Sequence, residues 1–173
     1  MASPFQLRAF RSDDADAVNA VAIAAFAEFR AEYGDWPTVS RNVDKMAALA
    51  RSAEVIVATV DGTVAGAVGY VGPNIEKQEW FEREWPVIRM LVVLPEYRGR
   101  GIGRALTEEC VRRARRDGAP LIALHTTPIM AVALPMYERM GFEYLRAAPD
   151  RSGVPYGIYV KRLAPLENRA AAR

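Results

Sequence analysis

A mixed α/β sheet with helices packed against it is the fold class that this 173-residue sequence predicts. The strongest local signal is "EVIVATVDGTVAGAVGYV", two β-rich runs joined by an Asp-Gly pair, the connection that a tight hairpin requires. A second is "VIRMLVVL", apolar enough to be central in a sheet, followed by a glycine-arginine loop and a helical pattern. The third is the order in which such segments occur, β-α-α-β-β-β-α-β-α-β-β, which needs a sheet with helices against it.

Each element has its own warrant. "FQLRAF" alternates as a strand does, and Ser12 and Asp13 are candidate caps for the helix that follows. Val18, Val21, Ala22, Ala25, Phe26 and Phe29 recur at three- and four-residue spacing and form one apolar helical face. "YGDWPTVS" reads as a break, and residues 39–51 as a shorter amphipathic helix carrying Val43, Met46, Ala47 and Ala50 on one side. After the hairpin, "PNIEKQEWFEREWP" is bounded by prolines and reads as an excursion between strands. Helical periodicity runs from Ile102 through Leu106, Cys110 and Ala114 until Gly118 stops it. "LIALHT" is a further strand, residues 129–140 a short helix closed by Gly141, and "FEYLRA" and "YGIYVKRL" two last strands. One domain over 1–163 is expected, with 164–173 as a flexible C-terminal tail.

Composition narrows the function classes. Half the residues are apolar and a quarter charged, the profile of a soluble folded protein. Neither a membrane-spanning run nor a signal peptide is visible, so a cytoplasmic protein without membrane association is expected. One cysteine, Cys110, allows no intrachain disulfide and no thiolate metal cluster, and reads as a small buried hydrophobe. The net charge of +2 conceals −5 before Arg98 and +7 from Arg98 onward. Solvated helix faces account for "CVRRARRDG", and without interleaved aromatics nucleic acid is not an expected partner.

The segment "LPEYRGRGIGRALTEE" carries the chemistry. A strand that ends in glycines and turns into a helix presents unpaired N–H groups and a positive helix end to an anion. Gly99, Gly101 and Gly103 let the backbone approach closely, and Arg98, Arg100 and Arg104 surround it with charge, so a phosphate or pyrophosphate is the expected ligand. A P-loop is excluded, because Gly103 is followed by Arg104 and Ala105 rather than by Lys and Ser or Thr. So is a dinucleotide fingerprint, since the sixth position from Gly99 is Arg104 and the next strand ends in His and Thr.

What the loop does match is Arg/Gln-x-x-Gly-x-Gly/Ala, through Arg98, Gly101 and Gly103. Here the sequence resembles the GNAT superfamily of acyl-CoA-dependent N-acyltransferases. "RMLVVLPEYRGRGIGRAL" is similar to that family's fourth strand and third helix, and "LPMYERMGF" to its fourth helix and the following turn. The resemblance implies a mixed, mostly antiparallel sheet of about seven strands flanked by about four helices. It implies acetyl-CoA as acyl donor, with no metal. By the same resemblance Leu91, Val92 and Val93 hold the pantetheine arm through their main chain, and Arg98, Gly99, Arg100, Gly101, Ile102, Gly103 and Arg104 form the pyrophosphate site.

Residue by residue, Tyr137 corresponds to the family tyrosine that often protonates the departing thiolate, and a phenol with a reference pKa of about 10 suits that task. Leu134, Tyr137 and Met140 are equally spaced as a core-facing stripe. Twelve positions earlier, where several members carry an acid, stands His125, the chain's one histidine. It is a candidate base, directly or through water, or a strand-end histidine bonded to a neighbour. Glu79, Glu82 and Glu84 are the other candidates.

The resemblance assigns the acceptor side to the first two helices and the segments facing the coenzyme. Glu28, Glu32, Tyr33, Asp35 and Trp36, and later Glu76, Glu79, Trp80, Phe81, Glu82 and Trp85, put carboxylates among aromatic faces, which favours a cationic small-molecule amine. Trp80, Phe81 and Trp85 fit cover for the sheet or a homodimer contact as well. Protein or peptide N-acetylation, and acyl-CoA sensing without catalysis, are the alternative functions.

Overall fold

The structure is a computed structural model that describes residues 4–164, so most of the expected tail lies outside the described residues. Seven strands, β1 (Gln6–Ala9), β2 (Glu54–Val60), β3 (Thr63–Val71), β4 (Val87–Val93), β5 (Leu121–Thr126), β6 (Glu143–Arg151) and β7 (Val154–Arg162), form one sheet in the order β1-β2-β3-β4-β5-β7-β6. Every neighbouring pair is antiparallel except β4 and β5. The helices are α1 (Ala15–Ala27), α2 (Trp36–Val43), α3 (Ile102–Arg116) and α4 (Ala133–Arg139). Their order along the chain is the one that the sequence predicts.

Strand side chains alternate between faces, and the sheet is therefore covered on both. Val57, Ala67, Val87 and Ala123 meet Val18, Val21, Ala22, Val39 and Val43 of α1 and α2 on one face. Ile56, Val68, Ile88 and Ile122 meet Ile102, Leu106, Cys110 and Ala114 of α3 on the other. Cys110 is fully buried there, as a hydrophobe.

Three helices differ from the sequence reading, two of them because of proline. α1 starts at Ala15 with Asp14 as its N-cap, and Ser12 and Asp13 lie in a 3₁₀ turn before it rather than capping it. α2 starts at Trp36, three residues before the expected segment, and ends at Val43, with a 3₁₀ turn over Met46–Arg51 replacing its second half. Asp35 caps it by accepting from the Thr38 N–H at 3.1 Å, and Pro37 lies in the first turn, where its missing N–H costs nothing. Asp-Trp-Pro is a helix start here rather than a break. α4 is confined to Ala133–Arg139 because Pro135 has no N–H for the Ala131 carbonyl and is tolerated only in a first turn.

Candidate active site

The parallel pair at the centre of the sheet is open. β4 and β5 share a single register pair, Val87 with Ala123, and the strands part beyond it. On its other edge β4 stays paired to β3, from Val71↔Val87 to Gly66↔Val93. One β3 residue, Val68, faces two on β4 between Ala67↔Val92 and Gly69↔Arg89, and Met90 takes φ 56° in this bulge. Leu94 N–H donates to Ala65 O on β3, so the alternation of an antiparallel ladder turns the N–H and C=O groups of Leu91 and Val93 toward the opening.

The loop after β4 leads straight into α3. Gly99 and Gly101 have φ of 75° and 83°, and Gly101 is the N-cap of α3. Arg98 N–H is bonded to Pro95 O and Ala105 N–H to Gly101 O, whereas the N–H groups from Gly99 to Arg104 find no acceptor among the described residues. A run of unpartnered donors at the positive end of a fifteen-residue helix is an anion cradle. Beside it a cavity of about 440 Å³ passes through the opening, lined by Phe26 on the α1 side, by Leu91 and Val93, and by Met130 and Met136 on the α4 side.

Of the residues that the resemblance assigns to the coenzyme, Leu91, Val92, Val93, Arg98, Gly99, Gly101, Ile102, Gly103 and Arg104 line this cavity. Arg100 does not, and its guanidinium lies over the Tyr97 ring, 5.1 Å from the centroid. The Arg98 side chain is already engaged. It donates to Glu28 Oε1 at 2.6 Å and to the Val93 and Ala25 carbonyls at 3.3 Å, tying α1 to the end of β4. Arg104 pairs with Glu108 on the surface of α3, at 2.8 Å.

Tyr137 and His125 lie on opposite faces of the sheet. Tyr137 belongs to the α3 face, its ring edge-on to Phe142, and burial pushes its phenol well above the usual range. It sits one position behind Met136 of the cavity wall. His125 stacks on Trp80 and meets Tyr156 edge-on on the α1 face. Trp80 Nε1–H donates to His125 Nδ1 at 3.2 Å, and an indole can only donate. The remaining proton of a neutral imidazole is then on Nε2. Burial, with the charges of Arg151 and Arg89, holds this histidine's pKa down to about 3.

The acidic acceptor surface expected from the sequence is not what surrounds His125. Glu28 is paired with Arg98, Asp35 caps α2, and Glu82 meets Arg146 at 3.2 Å. Sequence reasoning passed over Arg89, Arg151 and Tyr156. Arg89 carried a legible signal, a lone charge inside the apolar run "VIRMLVV", whereas Arg151 is brought in by the β6–β7 hairpin and has no local signature.

A glycine cradle at a helix start, beside a sheet opened at its one parallel pair, defines a class of enzymes that bind an anion-bearing extended ligand between two strands. The model of the acetyltransferase (GNAT) family matches residues 21–142, and the chain belongs to that family. A streptothricin acetyltransferase from Streptomyces lavendulae is 35% identical over 97 residues, 55% of this chain and 47% of that protein. The chain aligns with less than half the length of the curated relatives it matches. A GCN5-related N-acetyltransferase from Rhodopseudomonas palustris shares the fold with a TM-score of 0.73 at 22% identity, over 94% of this chain and 98% of that one. A GNAT-family acetyltransferase from Brucella melitensis, solved with acetyl-CoA, has a TM-score of 0.63 at 22% identity, over 95% and 91% of the two chains.

Proposed function

We propose that this protein is an N-acetyltransferase that moves the acetyl group of acetyl-CoA to a primary amine of a small molecule, by direct attack while both are bound. The observation that carries the reading is the run of unpartnered N–H groups from Gly99 to Arg104 opening onto the parted strands β4 and β5. The cradle suits a pyrophosphate, and the main-chain groups of Leu91 with the N–H of Val93, whose carbonyl already accepts from Arg98, suit the amides of a pantetheine arm lying along β4 as an added strand. The name of the Streptomyces lavendulae relative supports a small-molecule acceptor. A cytoplasmic setting, where a lone cysteine stays reduced, belongs to the same reading.

The chemistry then runs as follows. A β4 N–H beside the Met90 bulge polarises the thioester carbonyl. The neutral amine attacks that carbon, the new C–N bond forms, the C–S bond breaks, and Tyr137 gives its proton to the departing thiolate. A phenol held above its usual pKa stays protonated in the resting enzyme, ready to donate. His125, neutral and with Nδ1 occupied by Trp80, fits a positioning group better than a base, so the amine sheds its proton to water.

The test is release of free thiol from acetyl-CoA with a panel of small amines, amino acids and peptides. The expected result is amine-dependent release that falls at least about tenfold in Tyr137→Phe, with the melting temperature unchanged. Undiminished turnover in that variant removes Tyr137 as the acid. Coenzyme binding without release for every amine favours a sensor, and release with peptides alone favours a protein substrate.

A further inference from the structure

The α1 face of the opening holds a concentration of positive charge that the fold does not neutralise. Arg89 projects from β4 among apolar neighbours, partly buried, and makes no salt bridge among the described residues. Among the described residues its one polar partner is the neutral carboxamide of Gln78. With its oxygen turned toward the guanidinium, Gln78 accepts from Nη2 at 2.8 Å, Nε at 3.0 Å and Nη1 at 3.3 Å. Arg151, at the end of β6, also lacks an acidic partner among the described residues, and its guanidinium lies 5.7 Å from the centroid of the Tyr156 ring.

These groups converge on one place. Tyr156 touches His125 edge-on, with ring centroids 5.3 Å apart, and its hydroxyl is hydrogen-bonded to that of Tyr33 from the α1–α2 loop. Gly34 N–H donates to Ser152 O at 2.8 Å, holding that loop against the β6–β7 hairpin. The charges that act on His125 are those of Arg151 and Arg89, both positive, and burial and Arg151 together make the Arg89 charge harder to hold. A buried cation without an anion is costly unless a ligand completes it, and arginine's planar fork matches a carboxylate.

We propose that the acceptor amine is an aminocarboxylate, an amino acid or a close analogue, whose carboxylate is bound by Arg89 and Arg151 beside Tyr156 and His125. This rests on the transferase reading for the fate of the amine, but not for the carboxylate site itself. In this arrangement the carboxylate lies on the arginines and the amine points into the opening between β4 and β5, while the aromatic rings of Trp80, Phe81 and Tyr156 pack against His125. A cationic amine without an anionic group meets like charge here.

Two measurements test it. Thiol release from acetyl-CoA is compared for amino acids, their carboxamides and the corresponding decarboxylated amines. The expected result is that the best acceptor is an acid and that amidation raises its KM about 10- to 100-fold. Arg151→Gln and Arg89→Gln should raise KM for the acid similarly while leaving KM for acetyl-CoA unchanged. Calorimetric binding of N-acetylated amino acids and their amides to the coenzyme A complex gives the second readout, which needs no turnover. Binding of the acids that is lost in Arg151→Gln sustains the arginine site even without thiol release, in which case only the transferase reading falls. Acids and amides that behave alike, or an Arg151→Gln variant that treats them as the wild type does, overturn the proposal. Arg151, on a hairpin, carries the test if Arg89→Gln does not fold.

Discussion

His125 shows how one hydrogen bond changes the meaning of a residue. By type it is a base suited to neutral pH; with Nδ1 accepting from Trp80 it is held in a fixed tautomer, and burial, with the charges of Arg151 and Arg89, keeps it uncharged to about pH 3. The unfolded chain, whose histidine has a pKa of about 6.5, takes up a proton that the native state refuses. The stability conferred is therefore complete above about pH 6.5 and is lost as the pH falls toward the folded value. As the chain has one histidine, the loss between pH 6.5 and 5 should approach about 1.4 kcal/mol per pH unit, and be absent in His125→Gln, in urea titrations across that range. Gly101 is the second telling residue. A Cβ there meets nothing within 4 Å, but φ is 83°, which a β-branched side chain cannot share. Gly101→Val should turn cradle N–H groups away and raise KM for acetyl-CoA about tenfold, with the acceptor KM unchanged.

At the scale of elements, β4 is the part on which the site depends. Its bulge and its free edge coexist only because β3 holds the other edge closely. At Gly66 an added Cβ would lie 2.9 Å from Val92 O and 3.2 Å from Ile102 Cγ2. Gly66→Ala should cost about 1–3 kcal/mol by overpacking, read as a lower urea midpoint at constant m. The elements that a sequence reveals best are those encoded within a short window. The Asp61-Gly62 hairpin, the apolar β4 and the glycines that start α3 were all legible in this way. Proline was harder to read, since the same residue breaks a helix interior and opens a helix, and only the capping bond from Thr38 to Asp35 decides which. Of the arginine cluster only Arg89 was legible, as a lone charge in an apolar run, and the cluster itself was not. Arg89, Arg151, Tyr156 and Trp80 come from separate segments, and their convergence on His125 depends on the register of β5 against β7, which pairs His125 with Ile158.

For the molecule as a whole, the order of strands places the parallel pair in the middle of the sheet, so its opening is flanked by helices on both sides. Part of the charge contrast between the two halves of the chain is spent internally: Arg98 meets Glu28, Arg113 and Arg116 meet Glu54, and Arg146 meets Glu82, joining basic residues of the second half to acids of the first. The sheet's outer edges are poor templates for further pairing, one being a strand of four residues and the other carrying Pro149 and several charges. The unpaired edges that remain among the described residues are internal, the far halves of β4 and β5 beyond Val87↔Ala123. In that respect the protein carries an aggregation-type edge in its own interior, screened by α1 and α4 from other chains and left open to a narrow, extended guest. In the transferase reading, the acyl donor is the guest that completes that edge as an added strand.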